Sequence, residues 1–424
     1  SAASDVYKRQ LEPYTFIWSN SVTILLYNTL SKKAFLAKNN EMLAPIILAL
    51  ENKRNLYSVL VDENKLQYQT VKDFISILRD SYSGDCVSLE LCKNKPMVMY
   101  PSLNFNEDMN REIEFVKSQE TLGRKILNNL ISIDIYLGGT CSYTCDYCDT
   151  KYKQIRWCKS NKETLPYDKL HGLLSEISTL NSISVNFFGE IFTYPYINEL
   201  LTELSSCLFN KKFILDYKYS LDHERKIAHL INSGGNIGLL IGDTERLNQL
   251  AALPFLHDKN LECIFSVEGE SEFSFLANFI SMHNLENVFI YPYFNGTNQD
   301  FFRKNIFQDK DDILVEELDK REIFMRQTLN SNFFGKLTVL SNGDILPNVN
   351  ANSIGNIDHG IKNLIYKEIA EGSYWLQTRN KIEPCKNCLY RVLCSPISNY
   401  EIAMGKMDLC NVSRVGQTEP QTTE

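Results

Sequence analysis

A chain of 424 residues, 44% hydrophobic and 23% charged, has the composition of an ordinary globular protein long enough for two or three domains. Its formal net charge of −8 gives no electrostatic footprint for nucleic acid. No apolar run approaches the roughly 18 residues a membrane span needs (APIILAL at 44–50 is far shorter), and no secretory pattern opens the chain, so the expected compartment is the cytoplasm.

Residues 1–10 read SAASDVYKRQ, and DVYKRQ resembles the translation of a sequencing-library transposon end. This stretch is set aside as a non-native scar. From Tyr14, YTFIW, VTILLYN and KAFLA are short apolar runs rich in β-branched and aromatic residues, separated by turn clusters. NEMLAPIILALEN and TVKDFISILRDSYS then carry helical apolar spacing. Three strands followed by helices predict a small winged-helix-like domain over 11–86, and the polar stretch 87–130 reads as a helical connector.

Six strand patterns follow over 131–330: ISIDIYL, ISVNFFG, FILDYKY, NIGLLIG, LECIFSV and NVFIYPY, alternating with helical segments. This alternation predicts a parallel α/β sheet of βα units. Right-handed crossovers curl such a sheet into a full or partial barrel, with its chemistry at the carboxyl ends of the strands.

Directly after the first of these strands stands CSYTCDYC, with Cys141, Cys145 and Cys148 separated by three and then two residues. In a reducing compartment, twelve cysteines in such short spacings point to metal or catalysis rather than disulfides. A zinc site would need a fourth ligand from elsewhere, for instance Cys158. An iron–sulfur cluster can be held by three thiolates with one iron left open. Near the carboxyl end, Cys385, Cys388, Cys394 and Cys410 are separated by two, five and fifteen residues. Four thiols make a complete site, and their spacing fits zinc and an iron–sulfur cluster equally. Cys86, Cys92, Cys207 and Cys263 sit in apolar segments and read as packing residues, and Cys158 reads as buried or as a reactive thiol. The six histidines do not cluster; His171 and His229 lie on helical patterns.

CSYTCDYC on this βα pattern resembles the CxxxCxxC signature of the radical S-adenosylmethionine (SAM) superfamily, which implies a partial (βα)6 barrel. The resemblance implies a [4Fe–4S] cluster on Cys141, Cys145 and Cys148, with SAM on the open iron and Tyr147 beside its adenine. The family's GGEP strand end corresponds to FGEI here: Gly189 and Glu190 match, while Phe188 and Ile191 replace the outer residues. Ser266 and Glu268, at the end of LECIFSV, are candidate contacts for the ribose or amino-acid end of SAM. The carboxyl-terminal set, with SPISNYE, resembles the SPASM auxiliary-cluster domain of peptide-modifying enzymes. It implies a third unit over 331–412, one auxiliary [4Fe–4S] cluster because Asn348 and Asn350 stand where relatives carry cysteines, and a tail over 413–424.

The first unit resembles the leader-recognition element of ribosomal peptide maturation, which binds an extended leader at a strand edge, here taken to be VTILLYN. The nearest resemblance is to the pseudo-radical-SAM proteins of Bacteroidales double-glycine-leader systems. It implies peptide maturation by hydrogen abstraction, or a noncatalytic scaffold that binds the leader and serves a second, true radical SAM maturase. Implied partners are the precursor peptide with its double-glycine leader and an electron donor such as flavodoxin or ferredoxin.

Overall fold

The computed structural model describes residues 6–88, 126–139, 148–159 and 163–412. Strand β1 (Val6–Leu11) leads into an antiparallel meander of β2 (Thr15–Ser19), β3 (Thr23–Asn28) and β4 (Lys33–Lys38). Helix α1 (Ala44–Glu51), β5 (Ser58–Asp62), helix α2 (Gln69–Asp80) and β6 (Gly84–Ser88) follow. β1 lies between β5 and β6, antiparallel to both, so the segment set aside on sequence grounds belongs in the fold. Without it the other two strands of that sheet would have no common partner.

VTILLYN is also corrected. It forms β3, the middle strand of the meander, paired on both sides, so it offers no edge; β4 ends that sheet. Its run of apolar residues is buried on both faces, as such a strand requires. Ile24 and Leu26 join Val71, Phe74 and Leu78 of α2 in one core. Leu25 and Tyr27, with Phe16 and Trp18 of β2, pack instead on Ile313, Leu318, Ile323, Leu389, Val392 and Leu393 of the carboxyl-terminal third. The proposed connector falls largely on 89–125, outside the described residues.

The six expected strands form a parallel sheet: β7 (Ser132–Tyr136), β8 (Ser184–Phe188), β9 (Asn210–Asp216), β10 (Asn236–Ile241), β11 (Leu261–Val267) and β12 (Val288–Pro292). The sheet continues beyond β7 with β13 (Lys336–Val339), parallel to it, and then antiparallel β14 (Asp344–Leu346) and β15 (Gly355–Asn356). The β13–β14 hairpin, which lies inside the expected third unit, therefore extends the sheet of the second. β9 stops at Asp216, where the sequence pattern ran on through YKY. The Asp216 carboxylate accepts from Lys218 N at 2.8 Å and caps the helix that begins at Tyr217.

Alternate residues of the strands face opposite sides. One side, with Ile133, Val185, Phe213, Leu239 and Phe265, packs on the flanking helices. The concave side is layered. Asn186 donates to Asp134 at 2.6 Å, Arg156 pairs with Asp134 at 3.5 Å, and Lys212 pairs with Glu262 at 2.6 Å. Two residues further along each strand, nearer the carboxyl ends, stand Tyr136, Phe188, Ile214 and Ile264.

Candidate functional site

The carboxyl ends of β7 and β8 are set by two glycines. Leu137 N bonds Phe188 O at 3.1 Å and Gly139 N bonds Glu163 O at 3.0 Å, so the returning chain crosses directly over the end of β7. Gly138 (φ +75°) is required there, because a Cβ would lie 1.8 Å from Glu163 O. Gly189 also has a left-handed φ, +123°, and lies over Gly138. The next residue, Glu190, turns the chain, its carbonyl accepting from Thr193 N at 2.9 Å and Thr193 Oγ1 at 2.7 Å.

Cys141, Cys145 and Tyr147 lie outside the described residues. Cys148 begins helix α3 (Cys148–Gln154), which lies across the strand ends. The Gln154 amide holds both backbone groups of Phe294, at 2.8 and 2.9 Å, and Thr150 Oγ1 meets the Tyr293 hydroxyl at 2.6 Å. Both partners follow β12, so the helix spans from the first strand of the barrel to the sixth. Lys151 is buried at the centre of this cap, its Nζ 3.4 Å from Gly242 O, 4.0 Å from Glu268 and over the rings of Trp157 and Tyr293. Burial holds its pKa below the ordinary lysine value.

Beneath α3 the concave side is filled with aromatic residues. Tyr136 stacks on Phe188 at 4.7 Å and meets Tyr152 edge-on at 5.4 Å. Its hydroxyl donates to Trp157 O at 2.7 Å, and all four side chains are buried. Phe188, the residue in place of the first glycine of GGEP, is thus one wall of a packed aromatic cluster.

Of the other expected ligand contacts, Ser266 is buried at the end of β11, with no hydrogen-bond partner for its hydroxyl among the described residues. Glu268 accepts from Asn295 at 2.9 Å. Cys158 stands with its Sγ 3.7 Å from that of Cys148. Sequence reasoning left its role open between burial, reactivity and a fourth zinc ligand, and this contact follows from the chain doubling back after α3, which spacing alone does not reveal. Lys151 and Tyr152 were missed altogether, although their KY pair stands only two residues beyond the triplet, after Asp149 and Thr150.

The second cysteine set comes together. Cys385, Cys388, Cys394 and Cys410 line one cavity with Arg379, whose guanidinium lies 3.5 Å from Cys385 Sγ and is anchored to Glu401 at 2.9 Å. Burial raises the Cys385 thiol and pushes Cys394 up to about 12, so a metal binding there must displace their protons. Four sulfurs around a zinc ion at 2.3 Å stand about 3.8 Å from one another. Among the described residues no group of three or more His, Cys, Asp or Glu side chains is arranged to hold a single metal ion. Asn348 and Asn350, in place of cysteines, act as struts: Asn348 donates to Asn399 at 2.7 Å and Asn350 to Lys153 O at 2.8 Å. Cys86, Cys207 and Cys263 are buried, as expected of packing residues, and Cys92 lies outside the described residues. His171 is exposed and pairs with Glu203 at 2.9 Å.

No family model matches the chain, and no curated protein matches it. Among solved structures it is similar to BtrN in complex with AdoMet and 2-DOIA, at 14% identity and a TM-score of 0.30, over 61% of this chain and 92% of that one. It is also similar to native anSMEcpe with bound AdoMet and Cp18Cys peptide, at 12% identity and a TM-score of 0.43, over 62% of this chain and 88% of that one. No helix among the described residues is long and apolar enough to cross a membrane.

Proposed function

We propose that this chain is a radical-SAM-type iron–sulfur protein of ribosomal peptide maturation that acts as a noncatalytic scaffold. It holds an auxiliary [4Fe–4S] cluster on Cys385, Cys388, Cys394 and Cys410 and binds the leader of a precursor peptide at its amino-terminal unit. The observation that carries this reading is the filled barrel: α3 caps the strand ends, and Tyr136, Tyr152, Trp157 and Phe188 occupy the concave side where a cosubstrate and a peptide residue would have to meet. The edge of β4 is the place for an extended double-glycine leader to add as a further strand. A second radical SAM protein would then supply the chemistry, with flavodoxin or ferredoxin as its electron donor.

One observation favours the catalytic reading. Ser266 keeps a buried hydroxyl with no partner among the described residues, at the strand end expected to meet SAM. On that reading Cys141, Cys145 and Cys148 hold a [4Fe–4S] cluster, Tyr147, Gly189, Glu190, Ser266 and Glu268 receive SAM, and the protein excludes water and positions the peptide. When bound, such a cluster supplies the electron for reductive cleavage of SAM.

The deciding experiment incubates anaerobically reconstituted, dithionite-reduced protein with SAM, with and without the precursor peptide. The scaffold reading expects peptide binding and no 5′-deoxyadenosine; formation of 5′-deoxyadenosine and methionine would overturn it.

A further inference from the structure

The long sheet ends at β12, which among the described residues pairs only with β11. Cys263 N donates to Asn287 O at 2.9 Å and Tyr293 N to Val267 O at 2.7 Å, so the odd-numbered residues of β12 turn their backbone groups to β11. Those of Val288 and Ile290 point outward. Proteins blunt such an edge with lysine or another charge, or cover it. Here no charged residue occurs from Asn287 to Gln299. Phe289 and Tyr291, on the concave side in register with Ile264 and Ser266, are 44% and 37% exposed and stack at 6.4 Å. The helix between β11 and β12, α4 (Glu270–Met282), repeats the pattern. It carries no charge from Phe273 to Met282, yet Phe273, Phe275 and Met282 are 41%, 52% and 74% exposed. An uncharged helix face beside an uncharged edge strand marks an interaction surface.

We propose that this surface joins two copies of the chain, with their β12 strands paired antiparallel about a twofold axis at Ile290. The occupant follows from self-complementarity. With Ile290 opposite Ile290, the two residues exchange both of their outward hydrogen bonds. The same register sets Phe289 of each copy opposite Tyr291 of the other. These are non-hydrogen-bonded positions, where side chains come closest and cross-strand aromatic pairs are favourable. Pro292, whose carbonyl already accepts from the Tyr400 hydroxyl at 2.7 Å, falls at the end of this short ladder. An uncharged face also meets its own copy without repulsion, although the whole chain carries −8. The five exposed apolar side chains, at about 200 Å² each when fully exposed, offer about 500 Å² per copy. Two copies bury about 1,000 Å², the size at which a specific interface begins, in the twofold arrangement commonest among oligomers. The pairing uses neither β4 nor the cysteine-lined cavity, and it holds whether or not the barrel is catalytic.

The test is sedimentation velocity of the full-length protein, purified anaerobically, across the micromolar range. The parent is expected to pass from monomer to dimer as its concentration rises. Met282→Lys places an ammonium in the interface at a position that is open in the monomer. It should raise the dissociation constant at least tenfold with an unchanged melting temperature. Ile290→Pro removes the outward donor and should weaken the dimer likewise; if that variant fails to fold, Met282→Lys decides the point. Hydrogen exchange locates the contact: the amides of Val288 and Ile290 should exchange at least tenfold more slowly in the dimer than in the dilute monomer, and those of β4 equally in both. A parent that stays monomeric would overturn the proposal, as would a dimer whose dissociation constant neither substitution changes. So would a β12 edge that only the precursor peptide protects, which would make it a peptide site.

Discussion

The Tyr27 hydroxyl and the backbone of Leu318 are paired in both directions: Leu318 N donates to the hydroxyl at 2.6 Å, and the hydroxyl donates to Leu318 O at 3.0 Å. Tyr27 lies at the centre of the amino-terminal meander and Leu318 in the carboxyl-terminal third, so one phenol stitches two distant parts of the chain. Tyr27→Phe keeps the ring and strands a buried N–H. It should destabilise the protein by about 1–3 kcal/mol. Chemical denaturation followed by tryptophan fluorescence would measure this; a loss under 0.5 kcal/mol would mean that the pairing is dispensable.

Phe188 faces Tyr136 with no exposure to solvent. Truncation to alanine leaves a hole in a packed aromatic cluster and should cost about 3–5 kcal/mol. The same variant is the direct probe of whether the barrel can be reopened. Calorimetry with SAM should give no binding to the parent, and heat of binding in Phe188→Ala would identify Phe188 as the plug.

Asp216 is buried where it caps its helix, and burial, with Asp243 nearby, raises its pKa from the usual carboxylate value to about 6. The folded state keeps this proton to about pH 6, whereas the unfolded chain releases it near pH 4. Raising the pH through that window therefore costs stability, because the native state binds more protons. Asp216→Asn preserves the cap and abolishes the titration. Its stability relative to the parent should increase from pH 4 to pH 7 by about 2–3 kcal/mol, as read from urea denaturation at both pH values. A constant difference between the two proteins would rule this out.

The pairing of Asn39 N with Val22 O at 2.7 Å fixes the ladder between β3 and β4, so the amides of Ala34, Leu36 and Lys38 point away from β3. Ala34→Pro removes an outward donor and leaves the meander intact. It should weaken binding of the leader peptide several-fold in fluorescence anisotropy, with an unchanged melting temperature. Equal affinity in the two proteins would move the peptide to another surface.

The barrel strands were legible because each is a short apolar run bounded by turn residues, and local pattern is enough to find such runs. β1, β5 and β6 were not. VYKRQL and GDCVS are polar strands whose only reason to be extended is pairing with each other across most of the unit, and that is a non-local fact. The place of β13 beside β7 was hidden for the same cause: its partner lies some 200 residues away. At the site, spacing singled out both cysteine sets and offered Cys158 as a possible fourth ligand. The Cys148–Cys158 contact and the stacking of Phe188 on Tyr136 are distances that no spacing gives.

Leu389, Val392 and Leu393, between Cys388 and Cys394, pack on Phe16 and Trp18 of the meander. The cysteine-bearing loop and the interface are one piece of chain. Replacing Cys388 and Cys394 by serine should therefore speed amide exchange in β2 and β3 by tenfold or more, while exchange in β10 and β11 stays unchanged. Uniform exchange rates in variant and parent would separate the two.

That shared loop has a thermodynamic consequence. Loading of the carboxyl-terminal group and docking of the meander are linked equilibria, and linkage is reciprocal. On the proposed reading, a leader peptide that binds the docked arrangement more tightly must strengthen iron binding by the same factor as iron strengthens its own binding. Starved of iron, the protein would release its peptide, and supplied with peptide it would hoard iron. On the proposed scaffold reading, occupancy by the peptide would therefore follow the supply of iron.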